Sequence, residues 1–478
     1  MKIRYGLVLL LALVIGAAGC AAGGGGGGGA AASAGPVVPG GEVLLQGERP
    51  RQTDFTRAAQ RALDDGDDED DPNAARAFYQ QALAGSMNAI TEDGRNPLAH
   101  RLAALSNLGL EDYQAAGEHF DHASELRPIY EFEDARIREG VWIDLYQAAT
   151  PLVNAQDYEA AIPFFENAHA MYDGRPEAMI TLGQIYAQTG EFEKSADFID
   201  MALEMLDSPE AVEQGEEVLA GWRELAAPLP MLKAQVLAQS GRHEEAVSAY
   251  RVLLEAEPGN TVAMRDLASM LIQTGDEDAA YSVYDDLLAL PSLTGPDLYS
   301  IGVGFYQGSA YDRAAATFRR AAEQNQYDRD AVELWARSLA LDEAFEAVPQ
   351  AADHWIRLDP SSQTAHLILA QAVNANGDTE RTGEVVRQME ALEVDVTNLS
   401  LRRFEGGGGE IRGSMTNKTH AAGTAITITF TFYSDSASPL GTSRASVTMG
   451  ETDMAELFVL EFDSTEEVGG YTYEITGG

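Results

Sequence analysis

The chain has 478 residues, of which 45% are hydrophobic, 8% aromatic and 23% charged, proportions that fit an ordered protein of two to four domains. Its 76 acidic against 32 basic residues give a formal net charge of −44, a field that repels nucleic acid and anionic lipid and argues against a nucleic-acid-binding role. The single cysteine, Cys20, excludes an internal disulfide and a multi-thiolate metal site.

The first predicted element is an address. Lys2 and Arg4 form a short positive region, and residues 7–17 form an apolar run too short to span the ~30 Å of a bilayer's hydrocarbon. Ala17, Ala18 and Gly19 then lead into Cys20. This segment resembles the lipobox of bacterial lipoproteins, with Ala17 where that family commonly has Leu. The resemblance implies that residues 1–19 are a signal peptide and that Cys20 is the lipidated N-terminus of the mature chain. Ala21 in the next position is similar to lipoproteins sorted to the outer membrane. Seven glycines, Gly23 to Gly29, follow in a small-residue stretch that cannot bury enough apolar area to offset its chain entropy. Residues 20–54 are therefore expected to be a flexible tether, with a reach of roughly 30–35 Å.

From about residue 55 a period of 34 appears. Gly241 and Gly275 are one period apart, as are Ala246, Ala280 and Ala314, and Tyr250, Tyr284 and Phe318. The clearest unit carries Leu182, Gly183, Tyr186, Gly190, Phe192, Ser195, Ile199 and Ala202. It resembles the tetratricopeptide (TPR) pattern of small and bulky residues at fixed positions. The register predicts repeats starting near Thr56, Pro97, Trp142, Pro176, Ala227, Thr261, Gly295, Arg329 and Gln363, about nine helix-turn-helix units over residues 55–393. Interruptions around residues 127–141 and 207–226 read as extended or inserted helices. Small residues at Gly183, Ala234, Ala268, Gly302, Ala336 and Ala370 are expected to let the two helices of a unit approach closely. Bulky ones at Tyr186, Leu237, Leu271, Phe305, Leu339 and Val373 are expected to fill the space between units. A single hairpin leaves an apolar face wet, so stacking is what stabilises the array.

The TPR resemblance implies a superhelix whose concave face is lined by the first helix of each unit and binds an extended peptide or a partner helix. On that face the register places Met231, Gln235, Gln239, Arg265, Ser269, Gln273, Tyr299, Val303, Tyr306, Gln307, Glu333, Arg337, Gln371 and Asn374. The row is rich in amides and tyrosines and has no lysine, so the carboxylate clamp of some TPR proteins is absent.

Composition switches after about residue 394. Val396, Leu399 and Leu401, then the strict alternation of residues 424–433, then residues 442–449, 456–462 and 471–475 read as six or seven short strands of a small antiparallel sandwich over residues 394–478. Gly413, Asn417, Phe430, Phe432, Tyr433, Asp435, Leu440, Gly441, Tyr471 and Tyr473 together are similar to the FxLYD family of bacterial Ig-like domains. That resemblance implies an accessory domain with no chemistry of its own.

Two clusters could carry chemistry. His119 and His122 share a helical face with Glu118 and Asp121 beside them, a spacing open to a surface metal ion. Phe120 and Ala123 are expected to point inward, which makes a solvated face the better reading. The acidic run from Asp64 to Asp71 lacks the bidentate Glu of an EF-hand loop and reads as an inter-helix loop. No nucleophile-and-base constellation or nucleotide motif occurs, so no catalytic residue, metal site, cofactor or small-molecule substrate is expected. The expected function is a scaffold for other proteins or extended peptides, lipid-anchored in the cell envelope at the periplasmic face of the outer membrane. The alternative is a cation- or carbohydrate-binding envelope protein acting through the β-domain and acidic surface, with the repeats as a spacer.

Overall fold

In the computed structural model, which describes residues 44–291 and 293–477, twenty helices precede six strands. The fold is a TPR-like helical solenoid followed by small antiparallel sheets, as the sequence predicts. The expected signal peptide, Cys20 and the glycine run lie outside the described residues. The chain divides into two units at Asp173/Gly174.

The first unit holds α1 (Asp54–Asp67), α2 (Pro72–Glu92), α3 (Pro97–Gly109), α4 (Tyr113–Leu126), α5 (Ile129–Asn154) and α6 (Tyr158–Met171). Local chemistry sets their starts. Thr53 closes a capping box with Thr56, Asp71, Asp112 and Asp157 accept backbone N–H bonds at N-caps, and proline opens α2 and α3. The acidic run ends α1, turns, and caps α2 through Asp71, the inter-helix loop expected of it. Phe120, Ala161 and Phe165 are buried. A Cβ on Gly117 would lie 2.0 Å from the Ala170 carbonyl oxygen, so only glycine lets α4 meet α6 backbone to backbone. The interruption at residues 127–141 is the first half of α5, a 26-residue helix that begins well before the expected Trp142. It is fixed by buried Arg138, which donates to the Met171 carbonyl at 2.6 Å and pairs with Asp121 at 2.6 Å.

The end of the segment assigned to the tether is tied down. Glu48 donates its backbone N–H to the Leu126 carbonyl at 2.7 Å, and Arg51 exchanges two hydrogen bonds with the Asn96 side chain at 3.0 and 2.9 Å. The tether boundary at residue 54 is therefore too late by several residues. Backbone groups at 48 and 51 find partners that the glycine run's composition did not foretell.

The second unit opens with α7 (Glu177–Thr189) and α8 (Phe192–Leu206), then the inserted α9 (Pro209–Glu213) and α10 (Glu216–Ala226). Four pairs follow: α11 (Leu229–Gln239) with α12 (His243–Ala256), α13 (Thr261–Thr274) with α14 (Glu277–Leu288), α15 (Gly295–Gln307) with α16 (Tyr311–Gln324), and α17 (Arg329–Leu341) with α18 (Val348–Leu358). The last pair is α19 (Gln363–Ala375) with α20 (Thr379–Glu390). Helices α13, α15, α17 and α19 begin at four of the starts the 34-residue register names, Thr261, Gly295, Arg329 and Gln363, whereas α11 begins at Leu229, two residues after the expected Ala227. Every small and bulky position expected between helices is buried. A Cβ on Gly302 would meet the Phe318 ring at 2.7 Å, which is why α15 tolerates a glycine in its middle. The insert is held by Leu219, Trp222 and Ala226, with the Trp222 indole donating to Glu177 at 3.0 Å.

The six strands are β1 (Val394–Arg403), β2 (Gly409–Asn417), β3 (Ala425–Tyr433), β4 (Pro439–Thr448), β5 (Ala455–Phe462) and β6 (Gly470–Thr476). They form two antiparallel sheets, ordered β1-β2-β5 and β4-β3-β6. Ile411, Met415, Ile426, Ile428, Phe430, Phe432, Phe458 and Leu460 share one core. The uneven spacing of Val396 and Leu399 has a cause: β1 carries an extra residue between Thr397 and Ser400, with Asn398 at φ 55°, so both apolar side chains reach the same core.

Candidate partner-binding surface

The 34-residue period places twelve of the fourteen expected face residues in three rows, with Tyr306 and Asn374 sharing a fourth position. Met231, Arg265, Tyr299 and Glu333 occupy one helical position, Gln235, Ser269, Val303, Arg337 and Gln371 a second, and Gln239, Gln273 and Gln307 a third.

The first row is half-buried and engaged with the fold. Arg265 lies 3.6 Å from Asp266, which also accepts from the Tyr250 hydroxyl and the Gln235 amide. Burial pushes the Asp266 carboxyl up, against the pull of Arg265. Tyr299 stands edge-on to Phe318 with centroids 5.8 Å apart, and burial beside Asp330, Asp328 and Glu333 pushes its phenol up to about 12. Glu333 pairs with Arg337 at 2.6 Å and with Arg329, while Arg337 lies 5.3 Å over the Trp355 ring. In the second row Val303 packs against the core and Ser269 is half-buried.

The third row is exposed, and so are Gln371 and Asn374. Tyr306 is half-buried, edge-on to Tyr311 at 5.4 Å. The fourth member of the exposed row is Leu341, which is absent from the face the sequence predicts. Asp266 and Trp355, which order the inner rows, were also missed, and only the pairing of neighbouring units reveals them.

Two cavities border this unit. One of about 10 Å³, room for roughly one water, is lined by Thr261, Arg265, Leu287, Leu293, Asp297 and Ile301. The other, about 230 Å³, is lined by Gln363, Met389, Glu390, Leu392, Lys418 and Thr419. Neither has the ~300–1,000 Å³ of a small-molecule site. Among the described residues no three His, Cys, Asp or Glu side chains stand placed to hold a metal ion, and no helix is long and apolar enough to cross a membrane.

The sandwich is bolted to the last repeats within this unit. Tyr471 donates its N–H to the Tyr327 carbonyl at 3.0 Å and Val396 donates to Ser361 at 3.1 Å. Asp395 of β1 accepts from Gln363 N–H at 2.9 Å, adding a carboxylate to the start of α19. The Tyr327 and Tyr433 rings stack face to face. At the centre, Asp359 is 0% exposed and receives Arg329 at 2.8 Å and the Tyr473 hydroxyl.

The family model described as tetratricopeptide repeat matches residues 152–213 and 237–290, two stretches of the helical array. No curated protein matches the chain. Among solved structures, the C-terminal part of a TPR repeat-containing protein from Cytophaga hutchinsonii is 15% identical, with 52% of this chain and 95% of that one covered and a TM-score of 0.39. A MamA crystal structure is 17% identical over 34% of this chain and 90% of that one, with a TM-score of 0.30. MamA from Desulfovibrio magneticus RS-1 is 22% identical over 35% and 94%, with a TM-score of 0.29.

Proposed function

We propose that the protein is a scaffold that holds another protein or an extended peptide along the first helices of its repeats. The observation that carries this reading is the third row: one exposed amide per unit at Gln239, Gln273 and Gln307, set on a backbone whose inner rows are already satisfied. Amides that reach solvent from a rigid array can pair with the backbone of an extended segment at little entropic cost. The β-sandwich supplies a second contact through β5, whose Leu457 is 84% exposed beside Val459.

Anchoring completes the proposal. Cys20 carries the lipid, the glycine run spaces the folded part from the bilayer, and the site of action is the periplasmic face of the outer membrane. Two or more acyl chains hold a protein stably where one does not. The support is the lipobox-like sequence before Cys20.

Crosslinking capture with the full-length protein tests the surface. Arginine at Gln239, Gln273 and Gln307 together should abolish capture, and arginine at exposed Val252 should not. Equal capture by both variants removes the surface from the proposal. Labelling with an alkynyl fatty acid tests the anchor: a Cys20→Ala chain that still takes the label refutes it.

A further inference from the structure

One unit of the repeat face is already covered. The register that starts at Pro176 puts Ile180 at the helical position held later by Met231, Arg265, Tyr299 and Glu333. Those four are half-buried and the next in the row, Leu367, is 45% exposed, yet Ile180 is 1% exposed. The cover is the inserted α10, which meets both α7 and α8. Its Leu219, Trp222 and Ala226 join Met179 and Ile180 in one apolar cluster that also takes in Leu229 at the start of α11. Those three residues, spaced i, i+3 and i+7, make one face of the helix. Every other residue from Glu216 to Glu224 is exposed.

We propose that α10 is an in-built, displaceable occupant of the repeat face. The partner segment that replaces it is an amphipathic helix of the same kind: a bulky aliphatic residue, an aromatic one three positions on, and a small one four further. The inference rests on the scaffold reading and adds regulation to it, since α7 joins the binding row only once α10 has left.

Three features make α10 separable. Stacking does not need it, because α11 packs directly on α7 and α8 and keeps the repeats contiguous. Its polar anchor is the Trp222 indole N–H donated to Glu177 at 3.0 Å, and Glu177 retains Arg175 at 2.9 Å when the indole leaves. It begins at Gly215, held at φ 96° and ψ 155°, a conformation open to glycine alone. Nothing lies within 4 Å of where a Cβ on Gly215 would stand, so the chain is free to turn there.

Leaving exposes Met179 and Ile180 to water, which keeps α10 seated when no guest is present. A guest helix restores that burial, but it competes with a helix tethered beside the site at high effective concentration. A guest that also grips the exposed amides of Gln239, Gln273 and Gln307 gains the second contact needed to win. The competing arrangement is an α10 that belongs permanently to the fold.

A fluorescein-labelled peptide of residues 209–226, followed by anisotropy with the full chain, separates the two. A chain carrying Leu219→Ser and Trp222→Gln should take up the peptide, and the wild type should bind it roughly tenfold or more weakly, because its own α10 holds the face. A peptide bearing the same two substitutions should not bind. Arginine at Gln239, Gln273 and Gln307, added to the doubly substituted chain, should leave peptide uptake unchanged, so this inference and the amide row can fail separately. Equal uptake by wild type and doubly substituted chain overturns the proposal, as does no uptake by a doubly substituted chain that keeps its helix content by circular dichroism. Should those substitutions unfold the chain, hydrogen exchange of the wild type decides. Amides of α10 should then exchange about tenfold or more faster than those of α8 and α11, and equal protection overturns the proposal.

Discussion

The repeats and the β-sandwich of the second unit bury similar side chains but connect them differently. In the repeats Phe318 packs on Gly302 of the preceding helix and Tyr284 on Phe305 of the next unit, so each piece of core is assembled from near neighbours in sequence. In the sandwich Phe430 meets Phe458 and Tyr471, and β2 pairs with β5 across two intervening strands. Short-range assembly lets a repeat array lose order piecewise, whereas the sandwich forms as a whole. The bolt through Asp359 joins the two regimes, and that junction is where the contrast can be tested.

The largest effect is expected from Arg329→Met. It leaves the fully buried Asp359 without its cation, at a cost of about 3–5 kcal/mol. Urea unfolding should show the loss, and hydrogen exchange should rise in β6 and in α17–α19 together. Exchange that rises in the helices alone would break the idea that the two parts share one cooperative unit. A smaller change follows from Gly302→Val, which drives a branched side chain into the Phe318 ring and should cost about 1–3 kcal/mol. Its exchange signature should stay in α15 and α16. Spread into the strands would contradict the piecewise picture.

Acidity gives a third test. Asp328, at the start of α17, has its carboxyl pushed up to about 6, chiefly by burial, with Asp330 adding to it. A folded-state value above the unfolded one means the native state holds the proton more tightly. The stabilisation is complete below the ordinary aspartate range and is lost as pH rises through 6. Between pH 7 and pH 5 Asp328 should therefore add about 1 kcal/mol on acidification, read as the difference in urea midpoint between wild type and Asp328→Asn. No difference, or one of opposite sign, would refute the assignment. Least costly of all is Gln273→Ala, expected to move stability by less than about 0.5 kcal/mol while weakening partner capture.

Why was so much of the repeat region readable? A two-helix unit repeats its steric demands every 34 residues, so Ala234, Ala268, Gly302, Ala336 and Ala370 report one another's role. Strand positions were readable where alternation is strict, as in residues 424–433, and β1 needed the bulge at Asn398 to reconcile its spacing. What escaped is long-range. Nothing near Asp395 in sequence says that it will cap α19, and nothing near His119 says that His100 will face it. Glu48 and Arg51 escaped for a related reason: their anchors are the Leu126 carbonyl at the end of α4 and the side chain of Asn96 just before α3, which no pattern in residues 44–53 encodes.

The amide row has a consequence for how a guest would sit. Because Gln239, Gln273 and Gln307 recur once per unit, a strand laid along them could slip by a whole unit and find the same grip again. Leu341 occupies the fourth rung and breaks that sameness. A greasy residue at one end of the guest would then act as a stop, converting an indifferent ladder into a surface that fixes where its cargo begins.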